Sequence, residues 1–171
     1  MYYRWATPLW TVDLFFFLKE RGLDAVMSTS VIGINETHEN LEWYKHLDED
    51  SKRVNHLFEK ARTNGWDIDD VVTTPDLIEL LQAQNKKELP YERTLVAIVL
   101  VDNNTLHSLD DDSYSGHYIL VIGFDCSSDE VLYLDPALGS QIQRISELTF
   151  DNSRQSSGTD HDLILITRGD S

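Results

Sequence analysis

From Thr94 onward the chain reads as a series of strands. The runs TLVAIVLV, HYILVIGF, EVLYLD and DLILI are apolar, of strand length, rich in branched residues and separated by turn formers. In the second run His117, Ile119 and Val121 alternate with Tyr118, Leu120, Ile122 and Phe124, so both faces are apolar beyond the histidine. A strand of that kind must be covered on both sides, which predicts an interior position in a sheet.

The first half carries helical patterns. Thr7-Pro8 followed by LWTVDLFFFLKERG predicts a helix over about residues 8–21, with threonine as cap, proline in the first turn and Gly22 as the stop. It is apolar nearly all round, including Phe15 to Phe17, which predicts burial and leaves Asp13 as an isolated charge. DAVMSTSV reads as a strand, and a short helix is expected near Asn40 to Leu47. Val54, Leu57, Phe58 and Ala61 recur at helical spacing from Ser51 and stop at Gly65. WDIDDVV predicts a short strand, Thr74-Pro75 a second capped helix through DLIELLQAQ, and residues 85–93 a surface loop. Helices packed on a mostly antiparallel sheet drawn from the C-terminal half make an α+β fold.

At 171 residues one domain is expected, large enough to bury about 70% of its unfolded surface. With 41% hydrophobic residues, the balance of 14 basic against 30 acidic residues describes a folded acidic protein, not a disordered one. A net charge of -16 argues against nucleic acid and anionic membrane as partners. One cysteine, no signal-peptide pattern and no apolar run near the roughly 20 residues of a membrane span point to the cytoplasm.

The histidine at the head of SGHYILVIGFD is the first candidate for chemistry. If Phe124 pairs with Glu130 across the turn DCSSD, Ile119 faces Asp135 and His117 is its diagonal neighbour, about 7–8 Å away. A carboxylate on one ring nitrogen leaves the other as a base, the orienting half of a nucleophile-His-Asp triad. Gly116 gives a substrate backbone room to approach. Two plainer readings stand beside this one: a ring satisfied by nearby backbone, and an Asp135-Pro136 turn that merely ends a strand. A one-residue slip in register would also part the two groups. Cys126 lies nine residues along the strand, up to about 30 Å from His117, and is read as a turn thiol without chemical role.

Five segments, PLWTVDLFFFL, RVNHLF, GHYILVIGFD, YLDPA and SSGTDHDLILI, resemble in order and spacing the family of guanylyl cyclase domain-containing proteins, which includes plant soluble guanylyl cyclase-like proteins. The resemblance covers essentially the whole chain. It implies a papain-like cysteine-protease fold related to the bacteriocin-leader peptidases, with His117 and Asp135 as the triad's base and orienter. Gly116 and Trp10 are the candidate substrate-binding residues. In that family an Asp-Cys-Gly block precedes the segment equivalent to LWTVDL, whereas here Met1 lies nine residues before Trp10. The expectation is therefore a single domain over residues 1–171 without the nucleophile's segment, either a truncated product or a degenerate member.

The family name implies conversion of GTP to cyclic GMP, which needs carboxylates holding magnesium or manganese and cations spreading triphosphate charge. SLDDDS at 108–113 reads as solvated charge, NGW and ALGS are isolated turns, and His38, His46, His56, His107 and His161 lack metal-ligand spacing, so no metal or other cofactor is expected outside the cyclase reading. In GTDHDLILI, Gly158 is read as a turn, Thr159 or Asp160 as tying down loop amides, and Leu163 to Ile166 as closing the sheet. Where the native protein has the nucleophile's segment, the leading expectation is thiol-dependent hydrolysis of a peptide or isopeptide bond. Its rivals are an inactive, pseudoenzyme-like domain that binds an extended peptide, and the GTP cyclase itself.

Overall fold

A computed structural model of the chain describes residues 9–35, 47–85, 94–111 and 113–168. Its elements run α1 (Thr11–Lys19), β1 (Asp24–Ser28), α2 (Leu47–Thr63), β2 (Ile68–Asp69), α3 (Thr74–Asn85), β3 (Thr94–Asp102), α4 (Asn103–Leu106), β4 (Gly116–Asp125), β5 (Glu130–Leu134), β6 (Ile142–Ser146), α5 (Glu147–Gln155) and β7 (Leu163–Arg168). The architecture is α+β, around one seven-stranded sheet of order β2-β1-β7-β3-β4-β5-β6. All pairings are antiparallel except β1 with β2.

Two features extend the sequence reading. The sheet recruits β1 and β2 from the N-terminal half, and β6, α4 and α5 are further elements that apolar patterning did not single out. IQRIS, the β6 segment, has only two apolar residues and lies at the sheet edge, with Ile142 exposed, so it lacks the signal that marks a buried strand. β7 also differs from the expected closing strand: it is inserted between β1 and β3. The expected helix near 40–47 and the loop at 85–93 fall largely outside the described residues.

Both faces of the sheet are covered, as the two-sided β4 pattern requires. Val99, Val101, Ile119, Val121 and Leu163 pack with Leu77 and Leu81 of α3, Leu106 of α4 and Phe150 of α5. On the opposite face Ala25, Met27 and Ile164 meet Val12, Phe15 and Phe16 of α1 and Val54, Phe58 and Ala61 of α2. Leu163 and Ile164, adjacent in sequence, enter different cores because successive strand residues point to opposite sides. Arg154 of α5 is also buried; it donates to Thr74 Oγ1 and the Val72 carbonyl, at 2.9 and 2.8 Å, and so fastens α5 to the entrance of α3.

The helix ends shift from their expected positions. Trp10, not Thr7, caps α1, and its amide donates to the Asp13 carboxylate at 3.0 Å, as in half of a capping box. Asp13 is not an isolated charge, because Arg53 of α2 forms an ion pair with it and also reaches Asp50 at 3.1 Å. Phe15 and Phe16 are core residues packed around Trp66, whereas Phe17 is half-buried under the Arg21 guanidinium. At α3 the cap is Thr73, one residue before the expected Thr74, and it exchanges hydrogen bonds with Asp76.

Registry between β4 and β5 positions the candidate site. Asp125 faces Glu130 and Phe124 faces Val131, one step away from the expected pairing. The register then shifts between Val121 and Gly123, and Leu120 faces Leu134. Continuing that register by one step sets Ile119 opposite Asp135, as the sequence reading supposes. The irregularity at Ile122 thus corrects an error that began at the turn. It also brings Phe124 into the core of Ile119 and Val121, instead of the opposite face.

Replacing Arg53 by methionine should leave the largely buried Asp13 carboxylate without its cationic partner. The expected loss is about 1–3 kcal/mol, read from the urea midpoint, and it should be less than additive with Asp13→Asn.

Candidate active site

β3 and β4 pair Val101 with His117 and Asp102 with Gly116, so the imidazole leaves the sheet beside the end of the Val99–Val101 core. His117 Nε2 lies 2.9 Å from Asp135 Oδ1. The histidine side chain is 21% exposed and the carboxylate 1%, so the acid is sealed while the ring keeps a solvent-facing edge. Ala137 N donates to the same Oδ1 at 2.8 Å. Asp135 is therefore both the turn-forming aspartate of the plainer reading and the partner of His117. Burial opposes its ionisation, but the Ala137 amide and the hydrogen bond and charge of His117, with help from His107, outweigh this and hold the carboxyl below its ordinary range.

An ionised carboxylate only accepts, so in the neutral ring Nε2 carries the proton and Nδ1 keeps its lone pair. His107, just after α4, adds a second imidazole, with Nε2 3.6 Å from Asp135 Oδ2. Sequence spacing gave no hint of it, because His107 and His117 come together only through the β3–α4–β4 connection.

Gly116 and Trp10 line one cleft of about 440 Å³ together with Leu9, Thr11, Leu100, Tyr114, Tyr118, Gly158, Asp160 and Asp162. The space beside Gly116 is not open to a substrate backbone as supposed: Tyr114 Oη stands 2.7 Å from where a Cβ would be. Gly158, at φ +106°, would bring a Cβ within 3.0 Å of the same ring, so two glycines far apart in sequence cradle one tyrosine. Tyr118 Oη meets Thr11 Oγ1 at 3.0 Å, and burial raises both tyrosines above the ordinary phenol range. Burial also lifts Asp162 to about 7, against the Thr11 and Thr29 hydroxyls and with a further push from Asp160.

The family model described as guanylylate cyclase matches residues 2–166. The chain belongs to the guanylylate cyclase family. Guanylyl cyclase 1 of Arabidopsis thaliana is 34% identical over 176 residues, covering 94% of this chain and 61% of the relative. The chain thus spans about three fifths of that relative's length. No solved structure matches it.

Other candidates in this guanylylate cyclase family chain lie apart from the dyad. Cys126 is exposed in the β4–β5 turn, at the far end of the strand that His117 begins. In SLDDDS, Asp111 accepts from the Ser113 amide at 2.9 Å, and Asp112 is outside the described residues. Among the described residues no group of three or more acidic, histidine or cysteine side chains is arranged to hold a metal ion. At the turn before β7, Thr159 Oγ1 accepts from the His161 amide at 3.4 Å and donates to the Ser156 carbonyl at 3.0 Å, while the main-chain carbonyl of Asp160 accepts from Ser30 N at 2.9 Å. No described helix is long and apolar enough to cross a membrane.

The raised carboxyl of Asp162 makes stability depend on pH. Below its unfolded value, about 3.9, both states are protonated; between there and about 7 the folded state holds the extra proton, so stability falls as pH rises and then levels off. Between pH 4 and pH 8, Asp162→Asn should therefore gain on the parent by on the order of 3 kcal/mol in urea unfolding. Equal pH dependence in the two proteins would contradict the assignment.

Proposed function

We propose that this chain carries the base and the orienting acid of a thiol-dependent hydrolase acting on peptide or isopeptide bonds. The 2.9 Å contact between His117 Nε2 and the sealed Asp135 carboxylate supports the reading most directly. It leaves Nδ1 as the proton acceptor and offers the imidazolium formed during attack a fixed counter-charge. In the proposed cycle Nδ1 takes the proton of a thiol, and the thiolate adds to the carbonyl carbon. The imidazolium then returns the proton to the departing amine, and water cleaves the thioester by the same route.

Cys126 is the sequence's one cysteine and lies at the wrong end of β4, so the thiol in this reading comes from outside these 171 residues. The greater length of the Arabidopsis relative is compatible with that supply. The family's printed name favours a second reading, cyclisation of GTP. That chemistry needs cationic groups around a triphosphate, whereas neither the cleft of Gly116 and Trp10 nor the one beside His117 has a lysine or arginine among its described lining residues.

The test uses protein expressed from the complete reading frame, assayed with fluorogenic peptide and lysine-isopeptide amides and, separately, with GTP plus magnesium or manganese. Hydrolysis should be blocked by iodoacetamide, and kcat/KM should fall about 10²–10⁴-fold in both His117→Ala and Asp135→Asn. Metal-dependent cyclic GMP formation that is equal in His117→Ala and parent, without peptide hydrolysis, would transfer the assignment to the cyclase.

A further inference from the structure

The cleft bordered by Gly116 and Trp10 contains a carboxylate that the dyad does not use. Asp162 is fixed by its main chain, since its amide donates to the Thr159 carbonyl at 2.9 Å and its carbonyl accepts from Leu100 N at 3.0 Å. Its Oδ1 is buried and meets no hydrogen-bond partner among the described residues. A buried, unpartnered carboxylate oxygen is unfavourable unless the group takes up a proton or a donor arrives from outside. Its elevated affinity for a proton fits the first alternative.

The surroundings specify what kind of donor would fit. The described lining has two carboxylates, Asp160 and Asp162, and no lysine, arginine or histidine. Asp160 Oδ1 is already engaged by Asn35 Nδ2 at 2.6 Å, and the Thr11 and Thr29 hydroxyls bond to the Asp162 carboxyl, which leaves Asp162 Oδ1 as the acceptor without a partner among the described residues. The remaining wall is largely hydrocarbon and aromatic, with Leu9, Trp10, Leu100, Tyr114 and Tyr118. A divalent cation needs several oxygen ligands at once, whereas Asp160 Oδ1 is held by Asn35 and Thr11 Oγ1 is paired with Tyr118 Oη, which leaves too few. An ammonium group on an aliphatic stem fits both parts: the charge meets the carboxylate, and the methylenes lie along the rings.

We propose that this cleft is a binding site for a primary ammonium group on an unbranched hydrocarbon stem, as a lysine side chain presents it. The ammonium sits on Asp162, and the stem runs past Trp10, Tyr114 and Tyr118. Binding of this kind does not depend on whether His117 acts as a base.

The experiment titrates the 171-residue chain, by amide chemical-shift changes, with Nα-acetyl-lysine methylamide. The comparison ligands are Nα-acetyl-norleucine methylamide, which keeps the stem without the charge, and alanine methylamide, which offers only a free α-amine. Shifts should cluster at Trp10, Gly116 and Asp162, with the lysine compound binding at least tenfold more tightly than either comparison. Asp162→Asn should remove that preference, and Trp10→Ala, which keeps the carboxylate, should weaken lysine-compound binding severalfold if the asparagine variant does not fold. Equal binding of the norleucine compound, equal binding of the alanine compound, or the same shifts with calcium or magnesium chloride would each overturn the proposal. So would unchanged lysine-compound binding in a folded Asp162→Asn or in Trp10→Ala, or no binding by the parent.

Discussion

The pairing of β4 with β5 is the constraint on which the candidate site depends. Side chains alternate faces along a strand, so a displacement of one residue between His117 and Asp135 would move one of them to the opposite side of the sheet. The chain accommodates an extra residue at Ile122, away from the site, and the ladder is regular again at Leu120 and Leu134. That irregularity does two things at once: it leaves Asp135 in step with His117, and it turns Phe124 inward to complete the α3–α5 core. Packing at one end of the hairpin and polar contact at the other are thus satisfied by one local departure from regular pairing.

Asp135 shows how a structural residue can hold a reactive one without a separate device. Its Oδ1 closes the turn onto Ala137 and holds the His117 ring, while Oδ2 faces His107. Nearly complete burial would ordinarily disfavour the charge, yet the amide and the imidazoles stabilise it more than desolvation opposes it. Asp162 is the contrasting case. It is also buried, it has hydroxyls and no described cation in place of an amide and two rings, and it is driven the other way. Burial thus prevails at Asp162, whereas at Asp135 the amide and the two imidazoles outweigh it.

Much of this was legible in the residues and some was not. The apolar runs of β3, β4, β5 and β7 announced themselves by composition, and the amphipathic spacing of Val54, Leu57, Phe58 and Ala61 announced α2. The juxtaposition of His117 with Asp135 followed from hairpin arithmetic, although the arithmetic began at a turn pair that is shifted by one, and the Ile122 irregularity compensated. What stayed hidden was set by distant chain segments. Arg53 reaches Asp13 from 40 residues away, Tyr114 settles between Gly116 and Gly158, and His107 approaches Asp135 only after α4 has turned the chain. β6 stayed hidden for a different reason: its two apolar residues, Ile142 and Ile145, are three positions apart and so lack the alternation that marks a half-buried strand.

The place of β7 in the sheet bears on how the molecule is assembled. β1 and β2 form one ribbon, β3 to β6 form another, and among the described residues no ladder joins the two except through residues 163–168. As the polypeptide emerges during synthesis, each ribbon has an unpaired backbone edge until that segment is made. Closing the gap requires contacts across more than a hundred residues of sequence, a slow and entropically demanding step that leaves sticky edges exposed beforehand. The final strand acts as a keystone, and the interval before its arrival is when nascent chains of this kind are most open to mispairing with one another.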